Sequence, residues 1–172
     1  MATMAGLTAG YVHLINHAVI KGGLFIALGA LWYRYGITRV HDMNGMGKMM
    51  PWTMGAFTLL AISLIGVPFT AGFVSKFQLL TAAADKGWWW AVATIVFTSV
   101  LAVIYMGRML EAAWLKEPPS INGKVVAKNE APLTMLIPLW ALAITSILLG
   151  VHSSVPIELA RTAASTMLSG GF

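Results

Sequence analysis

His13, His17 and Lys21 stand at i, i+4 and i+8 within GLTAGYVHLINHAVIKGGLFIALGALWY. At about 100° per residue they share one stripe of a helix, with Asn16 beside it. Two imidazoles and an amine in a row can pass protons, because histidine titrates nearest neutral pH and a desolvated lysine exchanges its proton readily. Placing a lysine at mid-bilayer costs about 2.5–3.5 kcal/mol even on a lenient insertion scale, so the stripe must face protein or water. Polar stripes also hold helices together without titrating. His13 and His17 have the spacing of a metal pair, but Lys21 repels a cation and no carboxylate is near, so no metal site is expected.

A second chemistry-bearing stretch is PWTMGAFTLLAISLIGVPFTAGFVSKFQLLTAAAD, residues 51–85. Gly66 and Pro68 interrupt an apolar run, and Lys76 follows two turns later. Proline removes a backbone donor and crowds the carbonyl four residues earlier, which predicts an opened helix between Leu64 and Thr70. Open backbone within a bilayer is tolerated only against protein or a hydrated cavity, so a broken helix with a lysine just beyond it points to an ion pathway. The competing reading is a kinked span whose lysine snorkels to the headgroups. Ser75, Tyr105, Arg108 and Glu111 are secondary polar candidates; Arg108 and Glu111, three apart near the cytoplasmic end, are expected to form a local ion pair at the interface, with proton feeding to the pathway as the alternative role.

These groups need membrane helices to hold them. Of 172 residues 58% are hydrophobic and only 10% charged, and mean hydropathy is +0.78, well outside the range of soluble domains. The pattern predicts an all-α polytopic membrane protein with four transmembrane helices at about 6–33, 51–85, 88–115 and 132–151, the second discontinuous. A short amphipathic helix at 155–168 is expected on the external interface. Trp88, Trp89, Trp90 and Trp114 anchor the third span. The basic connections 34–50 and 116–130 are expected in the cytoplasm and the amino terminus outside, in the inner (plasma) membrane. No cleavable leader is expected in MATMAGLTAG. Met43, Met46, Met49 and Met50 read as adaptable packing and not as a soft-metal site. With no cysteine, thiolate chemistry is excluded, and the net charge of +5 reads as membrane topology and lipid contact, not nucleic-acid binding. No catalytic triad or phosphate-cradling loop is present, and no cofactor is expected.

HLINHAVIKGGLF at 13–25 and ISLIGVPFTAGFVSKFQLL at 62–80, in that order and separation, resemble the antiporter-type subunits of respiratory complex I, membrane-bound hydrogenases and multisubunit sodium/proton antiporters. MPWTMGAF, SLIGVPFTAGFVSK and VIYMGRMLEAA resemble the D-type antiporter subunit in particular. The resemblance implies that Lys76 is the lysine of a discontinuous helix at the outward end of a proton path. It also implies that Lys21 and His17 lie on the central hydrophilic axis, with His13 one turn before. The implied function is translocation of protons, or of sodium and protons, within a larger antiporter, NADH-quinone oxidoreductase or hydrogenase-type assembly. Such a chain is not catalytic by itself. The resemblance covers only the last part of a much larger bundle with inverted repeats. It therefore implies neighbouring membrane subunits as partners, among them a chain carrying the missing amino-terminal helices unless the sequence is cut from a longer one. A non-transporting assembly subunit is the alternative; a quinone-binding redox subunit is a third reading that no motif supports.

Overall fold

The computed structural model of the chain describes residues 3–118, 120–121, 124–125 and 128–169; the side chain of Lys124 and part of the connection 116–130 lie outside the described residues. Among the described residues the fold is helical. Helix α1 runs Met4–Tyr35, α2 Met46–Met49, α3 Pro51–Ile65, α4 Ala71–Ala84, α5 Trp89–Leu115, α6 Leu133–Val151 and α7 Ser154–Ser169. A 3-10 turn occupies Val40–Met43, and the two-residue strands Ser120–Ile121 and Lys124–Val125 pair antiparallel. Helices α1, α5 and α6 are long and apolar enough to cross a membrane. At 15 and 14 residues, α3 and α4 are each too short to do so alone.

Local chemistry sets the helix ends. The Thr3 hydroxyl accepts the Gly6 amide at the start of α1, which at 32 residues extends about 48 Å at helical rise. Pro51 takes the first turn of α3, where a missing N–H costs nothing. Helix α1 is central and packs against α3, α4, α6 and α7. Its Ile20, Leu24, Ala27 and Leu31 meet Phe57, Leu60 and Ala61 of α3 and Leu139 and Ala143 of α6 in one buried cluster. Outside, Phe97, Val100, Val103 and Ile104 of α5 are exposed, as a face turned to lipid or to another helix requires.

The connection 34–50 is more than a polar loop. Met43, Met46, Met49 and Met50 are all 2% exposed or less and join the main core, as flexible thioethers filling an irregular gap do. Gly45, at φ +70, donates its N–H to the Ala112 carbonyl at 2.9 Å. A Cβ there would stand 2.2 Å from the Pro118 nitrogen, so only glycine fits. The two basic connections therefore meet at one end of the bundle. Trp114 docks at the same end through Nε1, which donates to the Thr58 hydroxyl at 2.9 Å.

Glu130 closes this end in a way no local motif announces. Its carboxylate accepts the Trp52 and Thr53 amides, at 3.2 and 3.0 Å, and the Thr53 hydroxyl. Two orphan donors of α3 are thus satisfied by a negative charge at the positive end of the helix dipole. Glu130→Ala is expected to cost about 0.5–2 kcal/mol, the range for a lost N-cap. Thermal unfolding in detergent measures it; an unchanged midpoint would mean that water caps α3 equally well.

Candidate functional site

Helix α3 stops at Gly66, whose φ of +95 turns the chain out of the helix while its amide still reaches the Ile62 carbonyl at 3.1 Å. Pro68 prevents the helix from resuming at once, and Phe69 is held at φ +69. Thr70 restarts the chain as α4: its Oγ1 accepts the Phe73 amide at 3.5 Å and donates to the Val67 carbonyl at 2.6 Å. The break therefore spans 66–70, within the interval expected from Gly66 and Pro68.

Three helices hold this open backbone. Asn16 of α1, fully buried, donates Nδ2 to the Ala71 carbonyl at 2.8 Å. The Gly72 amide donates to Ser63 Oγ of α3 at 3.3 Å, and Ser146 of α6 donates to the same oxygen at 2.7 Å. Gly150 of α6 lies so close that a Cβ would fall 2.3 Å from the Phe69 carbonyl oxygen.

Lys76 points back toward the break. Its Nζ donates to the Leu64 and Ile65 carbonyls at 2.9 and 3.0 Å, the last carbonyls of α3 and the negative end of that helix. A lysine snorkelling along α4 toward the Asp85 end would point the other way, so that reading does not describe this side chain. One turn of α1 brings the imidazoles alongside: the rings of His13 and His17 stack with centroids 5.3 Å apart. Ser75 Oγ donates to the Gly72 carbonyl at 3.1 Å and lies within hydrogen-bond distance of His13 Nδ1, at 3.2 Å. His13, His17, Ser75, Lys76, Thr98 and Tyr105 line one cavity of about 200 Å³, with room for a short file of water.

Two groups of candidates fall elsewhere. Lys21 is one turn beyond His17, partly exposed, and does not line this cavity. Arg108 and Glu111 are exposed and form no ion pair, contrary to the expectation from their spacing; a surface pair gains too little to hold two long side chains in one geometry. They line a second cavity with His41 and Lys116 near the basic connections, and Tyr105 borders both cavities. No cluster of three or more metal-ligating His, Asp or Glu residues occurs among the described residues. Reading the sequence identified the titratable groups but missed Ser63, Ser146, Gly72 and Glu130. Their partners are 9 to 83 residues away, and an isolated serine or glycine in an apolar run carries no local signal.

The model of the NADH:quinone oxidoreductase/Mrp antiporter transmembrane family matches residues 1–102, which contain His13, His17, Lys21, the break and Lys76. This chain belongs to that family. Subunit N of the NADH-quinone oxidoreductase of Desulforudis audaxviator is 37% identical over 162 residues, covering 89% of this chain and 32% of the relative. Subunit N of the F(420)H(2) dehydrogenase of Methanosarcina mazei is 26% identical, over 96% of this chain and 35% of its own length. The chain thus spans about a third of these curated relatives. Among solved structures, the Mrp complex from Dietzia sp. superposes with a TM-score of 0.89 at 28% identity, covering 96% of this chain and 38% of the matched one. The membrane-bound sulfane sulfur reductase, an archaeal respiratory membrane complex, gives 0.76 at 32% identity, over 85% of this chain and 24% of its own. The fold of this antiporter-type segment is therefore shared across complexes with different names.

Proposed function

We propose that this chain is part of the proton-translocating unit of an antiporter-type membrane subunit. Lys76 exchanges a proton with His13 and His17 through water in the cavity beside the broken helix. The observation that carries this reading is the Lys76 ammonium held by the Leu64 and Ile65 carbonyls in the same cavity as two stacked imidazoles. Helices α3 and α4 together make one discontinuous span, the second of four, and α7 lies at the interface on the Asp85 side. The basic connections face the cytoplasm of the inner membrane, with the amino terminus outside. Tyr105, with Arg108 and Glu111 beyond it, marks the entry from the cytoplasmic side, because its ring borders both cavities. Lys21 extends the hydrophilic axis toward helices that this chain does not carry. Those helices, the other two-thirds or so of the relatives' length, come from a partner or from the rest of a longer protein, with other membrane subunits around them. The histidine and lysine series favours protons over sodium as the ion moved within this segment. The D-type antiporter subunit is the branch that the motifs fit, and any redox chemistry belongs to other subunits.

Proton uptake by vesicles containing the reconstituted complex tests this. His13→Ala with His17→Ala is expected to slow uptake several-fold, and Lys21→Ala to slow it as well. Full-rate uptake by both variants would reduce the stripe on α1 to packing, as in a subunit that only holds an assembly together.

A further inference from the structure

Phe97, Leu101, Ile104 and Arg108 stand at i, i+4, i+7 and i+11 on α5, so they form one stripe along a single face of that helix. Its three apolar members are 64, 43 and 53% exposed. The stripe ends in the Arg108 guanidinium, at a cavity of about 550 Å³ that Arg108 lines together with Lys116, Glu111, His41 and Tyr105. Among the described residues Arg108, Lys116 and Glu111 form no ion pair, and His41 lies 3.9 Å from Asp42 instead. Two cations thus share one carboxylate, which leaves the lining with an uncompensated positive charge and the Tyr105 hydroxyl as a further donor.

We propose that this cavity holds the anionic headgroup of a phospholipid from the leaflet on the side of the basic connections, with an acyl chain along Phe97, Leu101 and Ile104. Three observations select a lipid over other occupants. Trp114 lies on α5 between the two cations and marks the polar boundary of the membrane at their level. From Phe97 to Arg108 the helix rises about 16 Å, close to half of a hydrocarbon core of about 30 Å, so the stripe is one leaflet deep. Basic pockets at that boundary suit phosphate-bearing headgroups, and guanidinium binds phosphate through two parallel N–H groups. A free phosphate ion would use the cations and leave the apolar stripe idle. A further helix would cover the stripe without bringing an anion to its end. The site also accounts for the unpaired state of Arg108 and Glu111: the guanidinium is kept for a ligand from outside the chain. It does not rest on the proton reading, because it needs neither Lys76 nor the histidines.

The chain has no cysteine, so one fluorophore can be placed on the stripe at Leu101→Cys and, as a reference, at Val103→Cys on the opposite side of α5. The full chain with its partners is reconstituted in phosphatidylcholine bilayers into which dibrominated phosphatidylglycerol or dibrominated phosphatidylcholine is titrated. Bromine quenches only at contact, so the ratio of the two titrations reads lipid preference. At 101 the anionic lipid is expected to be favoured about fivefold, the effect of one net positive charge near a membrane surface. At 103 the two lipids should quench alike. Arg108→Gln with Lys116→Gln is expected to bring the preference at 101 to one or below, and Lys86→Gln, at the other end of the bundle, to leave it unchanged. Equal quenching by both lipids at 101 in the parent would overturn the site, as would a preference that survives the double substitution or falls equally with Lys86→Gln. Absence of quenching by either lipid would mean that another helix covers the stripe. Loss of the preference in millimolar inorganic phosphate at constant ionic strength would mean that the cations take the free ion; either result defeats the lipid assignment. Quenching is read without turnover, so a complex that shows the preference but moves no protons would defeat the proposed function and leave the lipid site standing.

Discussion

Replacing Lys76 by alanine is expected to abolish proton flux through the assembled complex while leaving helix content and assembly intact. The lysine makes two charge-assisted bonds to the Leu64 and Ile65 carbonyls. Such bonds contribute roughly 1.5–3 kcal/mol each. The cavity beside the break can hydrate the freed carbonyls, so the stability loss falls at the low end of that range. Asn16, Ser63, Ser146 and Gly150 still hold the break, so the fold survives. Lys76→Arg sharpens the result. A guanidinium keeps the charge and can bond the same carbonyls, yet does not give up its proton in a protein. If the lysine exchanges protons, both variants are silent in vesicle uptake, and circular dichroism of each matches the parent. Wild-type flux in Lys76→Arg would show that only a fixed positive charge is needed at the end of α3.

The second large effect is expected at Gly72, which carries no titratable group. A Cβ built there lies 1.7 Å from the Ser63 carbonyl oxygen and 2.8 Å from its carbon, so backbone, and not a flexible side-chain tip, must give way. Overpacking costs about 1–3 kcal/mol and occasionally more, and a clash with main chain belongs at the upper end. Moving α4 away from α3 also lengthens the Gly72 to Ser63 bond and carries Lys76, one turn later, off the carbonyls it caps. Gly72→Ala is therefore expected to lower stability in denaturant titration by about 3 kcal/mol or more and to remove proton flux. Gly107→Ala in α5, where a Cβ meets nothing within 4 Å, should be neutral or slightly stabilising. Equal behaviour of the two variants would mean that the close approach of α4 to α3 does not hold the site together.

Much of the fold was legible because its signals are local. Apolar runs bounded by charge place helices on 6–33, 88–115 and 132–151 within a few residues of α1, α5 and α6. Gly66 and Pro68 announce a break because each acts on its own backbone, and the break lies at 66–70. The stripe of His13 and His17 follows from helical periodicity and needs no knowledge of neighbours; their rings do stack. Spacing was a poorer guide for Arg108 and Glu111, where solvent competes with the pair.

By itself, then, the sequence determined the class of fold, the position of the break and the identity of the titratable groups near it, since each depends on residues adjacent in the chain. Tertiary structure alone decided where those groups point. Lys76 turns back to α3 because the carbonyls it caps are brought within reach by the fold, 11 and 12 residues upstream. Ser75 meets His13 across 62 residues, Glu130 closes α3 across 77, and Lys21, on the same stripe as the histidines, is left outside their cavity. Contacts of that range are set by how helices pack, and no periodicity along one helix encodes the partner on another.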